Sequence, residues 1–253
     1  MARLSGLAAL GPIAVLLVAW QTLALSGHVT PFMLPSLTTV LQRIARDAGS
    51  GELALQLGTT LYRTFAGFLI AALGGIALGL AIARSAALRW FFDPIISVGF
   101  PMPKIAFLPI VVLWLGFHDV SKIAMVILDA IFPVLTATIA GAAAVQKELL
   151  WSARSMGASA RQARREVVLP AALPELLTGI QVALPIALIV CIVAEMMTGG
   201  IGLGGIMIKS ARFADSPGVF AAIVEIAVVG FVLVKAMAWV RRRLLRWHPE
   251  AHH

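Results

Sequence analysis

Four ionisable side chains stand inside apolar stretches, where they could carry solute chemistry. Lys104 lies among Pro101, Pro103 and Pro109. Asp129 lies beside Phe132-Pro133, Glu195 precedes the run MMTGGIGLGG, and Glu225 lies thirty positions after Glu195 in another apolar stretch. An ionised group in hydrocarbon is costly unless paired or hydrated, so such residues are read first as parts of a solute path or its gate. On that reading Pro101, Pro103, Lys104 and Glu195 are the pore or gate candidates. For Lys104 the alternative is a lysine that snorkels to an interface. Glu195 needs a lysine or a backbone N–H group as partner, and the sequence does not choose between them.

Other chemistries lack their parts. The five histidines, His28, His118, His248, His252 and His253, fall in loops or at the C-terminus, so no nucleophile–base–acid set forms. The terminal histidines read as a solvated tail, not a metal site. Gly200-Ile201-Gly202-Leu203-Gly204-Gly205 has the glycines of a phosphate loop but not the strand–loop–helix context. No GxxxxGK[ST] occurs, so the chain has no P-loop of its own. Cys191, the only cysteine, sits in an apolar run, which excludes an internal disulfide and reads as a small buried side chain. No catalytic residue, metal or cofactor is expected in this chain.

These residues must be held by membrane-spanning elements. Of 253 residues, 60% are hydrophobic and 13% charged, with mean hydropathy +0.95. A soluble domain carries about 25% charged residues, so this chain has too few to cover a water-facing surface. The net charge of +8 is spread through loops between apolar runs, as in bilayer proteins, and does not argue for nucleic acid. Six apolar runs approach or exceed the ~20 residues that cross the hydrocarbon: about 7–25, 57–83, 94–116, 121–145, 171–197 and 219–240. The predicted fold class is all-α, a polytopic membrane protein with six transmembrane helices in a single domain over 1–253. The first run is too long for a signal-peptide core and is read as a retained helix.

With the N-terminus inside, twelve Lys and Arg residues fall in cytoplasmic segments and five on the opposite side. That bias places both termini in the cytoplasm. The outward segment after the first span contains PFMLPS, whose prolines disfavour helix. LTTVLQRIARDA follows, with Leu37, Val40, Leu41 and Ile44 at helical spacing, as an interfacial amphipathic helix or a connecting loop. A second short outer helix is predicted over Ile206 to Ala211. In the second span Gly67, Ala71, Gly75 and Gly79 recur every four residues, with Gly74 beside them. This is a close-packing face for a helix of this chain or of another. In the third span the prolines predict an interrupted helix, tolerated where protein or a watery cavity satisfies the freed backbone.

Between the fourth and fifth spans lies a polar, basic loop over 146–170, WSARSMGASARQARREVVLP with its preceding residues. Leu149, Ala153 and Met156 recur at i, i+4 and i+7, with Leu150 and Trp151 beside them, predicting a short helix with an apolar face. Arg154, Arg161 and Arg165 recur at i, i+7 and i+11 as a basic face. Gly157 ends or bends this helix. Ala158 to Val168 resumes a helix, and Leu169-Pro170 marks a turn into the fifth span. Such a helix either lies on the membrane or enters the groove of a soluble partner.

The loop resembles that of the permease subunits of bacterial ATP-binding-cassette importers, which have a type I fold and carry EAA-x3-G-x9-I-x-L-P. Trp151-Ser152-Ala153 stands at the EAA place, Gly157 at the glycine, and Val167-Val168-Leu169-Pro170 closes the motif with the same spacing. The opening Glu is Trp151 and the first Ala is Ser152. Phe32 to Ser36, Arg63 to Phe68, Asp93 to Ile96, Pro101 to Pro103, Leu113 to Gly116 and Leu203 to Gly205 resemble the branch that imports nitrate, taurine and aliphatic sulfonates.

The resemblance implies a permease subunit of the bacterial inner membrane. A second permease copy would complete the translocation path. Two cytoplasmic ATP-binding subunits would carry ATP and Mg, and a periplasmic or lipid-anchored binding protein would deliver the solute. Trp151, Ser152, Ala153, Arg154, Met156, Gly157 and Ala158 would be the ATPase-coupling contact. Arg63 and Lys104 would favour an anion by electrostatic focusing. The same role for a neutral or heterocyclic solute stays open, as does an ion-driven secondary transporter, which would show inverted repeats and midplane carboxylates.

Overall fold

The computed structural model describes residues 2–145 and 147–247, with the side chains of residues 2–10, 147 and 164 left aside; His248, His252 and His253 of the sequence reading lie outside it. The described residues are helical, with no strand among them. The helices are α1 (Ala2–Leu25), α2 (Leu37–Gly49), α3 (Glu52–Arg84), α4 (Ala86–Gly99), α5 (Leu108–Leu115), α6 (Asp119–Ala143), α7 (Lys147–Ser155), α8 (Ala160–Gln162), α9 (Leu169–Thr198), α10 (Leu203–Arg212) and α11 (Ser216–Leu244). A 3₁₀ turn (Lys104–Phe107) precedes α5, and a π-helical turn (Ala163–Val168) joins α8 to α9.

Four helices are long and apolar enough to cross a membrane, or five if the bent pair α4–α5 counts as one span; the apolar stretch Gly11–Leu25 of α1 is shorter. The third expected span is therefore not one rod over 94–116. It begins at Ala86, and its halves meet at 91°. Pro101 and Pro103 explain the break, since each lacks an N–H and pushes its predecessor out of helical geometry. The expected turn at Leu169-Pro170 is absent. One helix runs over Ala160–Thr198, so the fifth span starts eleven residues before the expected 171. The wider π turn directly ahead of Pro170 relieves the clash of its ring with the preceding carbonyl.

Residues 1–60 with 195–228 form one compact unit, and residues 61–194 with 229–253 another. In the second, the glycine stripe of α3 packs on α6 of the same chain. A Cβ at Gly67, Gly75 or Gly79 would come within 2.6 Å of Val126, 3.0 Å of Val134 or 2.7 Å of Thr138. Each contact joins residues 59 positions apart (67 to 126, 75 to 134, 79 to 138), so α3 and α6 run parallel. Gly179 of α9 meets Ala137, and Gly141 of α6 meets Glu175. Four positions forward in one helix match four back in the other, so α6 and α9 run antiparallel. The core fills around Phe68, Met125, Val126, Val134, Leu184 and Cys191.

In the first unit, Ser36 caps α2 by accepting the Thr39 N–H at 3.2 Å. Trp20 Nε1 donates to the Pro35 carbonyl at 2.9 Å, and Gln21 accepts the Leu37 N–H at 2.8 Å. These bonds fix the proline-rich link between α1 and α2. The helix expected from the LTTVLQRIARDA periodicity is α2, and the short helix expected over Ile206 to Ala211 is α10, starting three residues before Ile206.

Candidate functional site

The basic loop folds as α7, a tight turn and α8. Gly157 adopts φ +85°. Its N–H donates to the Arg154 carbonyl at 2.9 Å, and the Ala158 N–H donates to the Ala153 carbonyl at 3.0 Å. This pair of bonds is the Schellman closure of a helix, which places glycine at the left-handed residue. A Cβ at Gly157 would meet nothing within 4 Å, so the glycine serves backbone conformation and not close approach within this chain. Two residues on, Ser159 opens α8 with a capping box: its hydroxyl accepts the Gln162 N–H at 3.2 Å and Gln162 Oε1 accepts the Ser159 N–H at 2.9 Å.

The apolar stripe Leu149–Ala153–Met156 does not settle as one buried face. Ala153 is buried, whereas Leu149, Trp151 and Met156 are 47%, 60% and 79% exposed. The chain thus presents three large apolar side chains that it does not cover. The basic face is divided as well. The Gly157 turn separates Arg154 from Arg161 and Arg165, which instead line a cavity with Arg84.

At the bend after α4, Lys104 is buried. Its ammonium pairs with Asp129 of α6 at 3.1 Å, donates to the Phe100 carbonyl at 2.9 Å and lies 4.6 Å from the centre of the Phe132 ring. Snorkelling to an interface is excluded by this enclosure. Gly99 admits the bend, since a Cβ there would come within 2.6 Å of Phe132. Arg63 is held by Asp119 through Nε at 2.8 Å. Both cations proposed to focus an anion are thereby compensated by carboxylates.

Glu195 is fully enclosed at the end of α9. It accepts the Thr60 hydroxyl at 2.9 Å and the Gly204 N–H at 3.1 Å. The Thr60 oxygen in turn accepts the Leu203 N–H at 2.8 Å, and Gln56 accepts the Gly202 N–H. Of the two partners open at the sequence level, a backbone N–H is present, joined by a threonine that sequence reasoning missed. Gly202 takes φ +131°, and a Cβ there would strike the Glu195 carboxylate. The glycines therefore build a turn around a carboxylate, not around a phosphate.

A further charge cluster was not anticipated. Arg43 of α2 binds Asp47 at 2.8 Å and also Asp215, ahead of α11, which accepts the Gly218 N–H at 3.1 Å. The i,i+4 spacing of Arg43 and Asp47 was a legible signal; nothing local points to Asp215, 172 positions away. Burial pushes the Asp215 carboxyl upward, but its bonds from Arg43 and Gly218 outweigh this and hold it below the usual range. Arg43, also opposed by desolvation, is raised by its two carboxylate partners.

Among the described residues no group of three His, Cys, Asp or Glu side chains could hold a metal ion.

Comparison with known proteins adds to this geometry. Residues 75–246 match the family described as binding-protein-dependent transport system inner membrane component. The taurine transport system permease protein TauC of Escherichia coli is 35% identical over 95% of this chain and 90% of its own. A Bacillus subtilis protein named as an aliphatic sulfonates transport permease, SsuC, is 34% identical over 92% of this chain and 85% of its own. The riboflavin transport system permease protein RibX of Chloroflexus aurantiacus is 30% identical over 93% of this chain and 88% of its own. A solved structure of the inward-facing MetNI methionine ABC transporter superposes with TM-score 0.64 at 20% identity, covering 74% of this chain and 93% of that one, and so shares the fold. The family match decides against the ion-driven transporter and the membrane enzyme: this chain belongs to the binding-protein-dependent transport system inner membrane components, the permease subunits of ABC transporters, and is not itself an enzyme.

Proposed function

We propose that the chain is the permease of an importer for a small sulfonate such as taurine, driven through α7 by a separate ATPase. The similarity to TauC and SsuC over nearly the whole chain carries the choice of solute. RibX favours a second reading, a neutral heterocycle. The compensated charges of Arg63 and Lys104 leave solute selection to the binding protein in either case.

Two copies form the path as one transmembrane domain each, with six spans: α1, α3, the broken α4–α5 pair, α6, α8–α9 and α11. The parallel course of α3 and α6 supports this count, because the chain between two parallel spans must cross the membrane an odd number of times. The broken pair therefore crosses once. The arginine bias keeps both termini and α7 in the cytoplasm.

Trp151, Ser152, Ala153, Arg154, Met156, Gly157 and Ala158 form the coupling contact. Leu149, Trp151 and Met156 supply the apolar surface that an ATPase groove would cover. Closure of two ATP-loaded subunits drags α7 and, through the four-residue link Met156 to Ser159 that turns at Gly157, the long helix beginning at Ala160. Pro101, Pro103 and Lys104 fix the bend as a gate element, and Glu195 braces the outer turn.

The test is uptake in proteoliposomes holding permease, ATPase subunits and binding protein. Taurine accumulation that requires ATP and all three components is the expected result. Uptake that persists without the ATPase would overturn the coupling, and accumulation of a flavin but not a sulfonate would overturn the solute.

A further inference from the structure

A cavity of about 300 Å³ opens between the end of α3 and the start of the Ala160–Thr198 helix, lined by Leu80, Arg84, Arg161, Arg165, Val168 and Leu169. Among the described residues its lining is divided in half, with three guanidinium groups and three aliphatic side chains. Arg161 and Arg165 stand one helical turn apart and are exposed, so their side chains reach one another's neighbourhood on the same face. Leu169 is 39% exposed beside them. Arg84 closes α3, the apolar helix whose Leu80 lies one turn deeper.

We infer that this cavity is a binding site for the headgroup of an anionic phospholipid, with Arg161 and Arg165 on the phosphate and Leu80, Val168 and Leu169 against the glycerol and upper acyl chain. Guanidinium groups bind phosphate oxygens in pairs. A free phosphate would use the cations alone and leave the aliphatic half of the cavity idle. An acidic patch on a soluble partner would do the same. A lipid uses both halves at once, and basic pockets between spans at the cytoplasmic level are suited to such headgroups. The site lies directly after α7, so a lipid held there would grip the first turns of the helix that α7 is proposed to move. The inference rests on the cytoplasmic placement of this loop proposed above.

The test uses the assembled permease–ATPase complex in nanodiscs that mix phosphatidylcholine with phosphatidylglycerol, with native mass spectrometry counting the phosphatidylglycerol retained on release. R161Q/R165Q is expected to lower retention about 30-fold, while R242Q/R243Q at the end of α11 leaves it unchanged. V168W, which keeps both arginines and fills the aliphatic half, is expected to lower retention too. Unchanged retention in either R161Q/R165Q or V168W overturns the site. Loss of phosphatidylglycerol to inorganic phosphate at millimolar concentration assigns the cavity to a free anion and also overturns it. Release of the ATPase by R161Q/R165Q with lipid retained assigns the arginines to the partner protein instead. Labelling of a cysteine placed at 161 from the outside would overturn the topology; inside labelling with unchanged lipid would overturn the lipid site alone.

Discussion

Thr60 and Glu195, 135 positions apart, meet at the core of the glycine turn between α9 and α10: the threonine hydroxyl donates to the carboxylate at 2.9 Å while accepting the Leu203 N–H at 2.8 Å. One side-chain oxygen thereby ties the end of α9 and the start of α10 to α3. E195A removes the acceptor and strands the Thr60 and Gly204 donors, at a cost of about 1–3 kcal/mol. E195Q keeps an acceptor and is expected to lose less. Limited proteolysis at residues 199–203, with thermal unfolding in detergent, compares the two.

Gly157 gives a sharper test, because its surroundings are open and only its backbone angle is demanding. G157V places a β-branched residue in the left-handed region, at ~1–2 kcal/mol or more. Insertion into the membrane is expected to persist, with ATP hydrolysis no longer linked to uptake. G157N, which tolerates that angle, is expected to retain more coupling. Uptake per ATP hydrolysed in proteoliposomes measures both; wild-type coupling in G157V would refute the role of the turn.

Lys104 is buried while its partner Asp129 is partly exposed, so removing the carboxylate leaves an uncompensated buried ammonium. D129N is expected to destabilise by roughly 3–5 kcal/mol, and the double variant K104M/D129L to recover much of that loss. Thermal unfolding of the wild type, K104M, D129L and K104M/D129L gives the coupling directly.

Gly79 faces Thr138 too closely for any side chain, whereas a Cβ at Gly74 would lie 3.8 Å from Ile131 Cδ1, in ordinary contact. G79L is expected to cost about 1–3 kcal/mol by overpacking and to lower the yield of monodisperse protein. G74A is expected to leave both yield and unfolding temperature near wild type.

The Asp215 carboxyl is held below its ordinary value, so its ion pair with Arg43 stabilises the fold above about pH 4, where the unfolded carboxyl is ionised. That contribution falls as pH drops through the lower, folded value. D215N is expected to flatten the acid limb of the stability curve below about pH 4, read by intrinsic fluorescence, and to leave the neutral region nearly level.

Hydropathy made the long helices legible, since a span must be apolar over some twenty residues whatever its neighbours. The glycine stripe of α3 marked a contact face, but its partner α6 was hidden because helices in lipid associate by shape, not by a pattern one helix carries alone. Pro101 and Pro103 located a break without its angle. Pro170 misled, because the π turn over 163–168 absorbs a proline that would otherwise end a helix. Leu149, Ala153 and Met156 have helical spacing, yet only Ala153 is covered: periodicity finds a face but not what lies against it. Asp215 was out of reach for the reason that applies to all distant pairs, that chain closure leaves no local trace.

Cys191 is the sole thiol in the sequence and is wholly enclosed in the core of its unit. A shielded sulfur reacts slowly with water-borne maleimides. The natural chain is therefore already a quiet background for single-site reporters: a cysteine set at any exposed position speaks alone, without stripping the native one and risking the packing around α9.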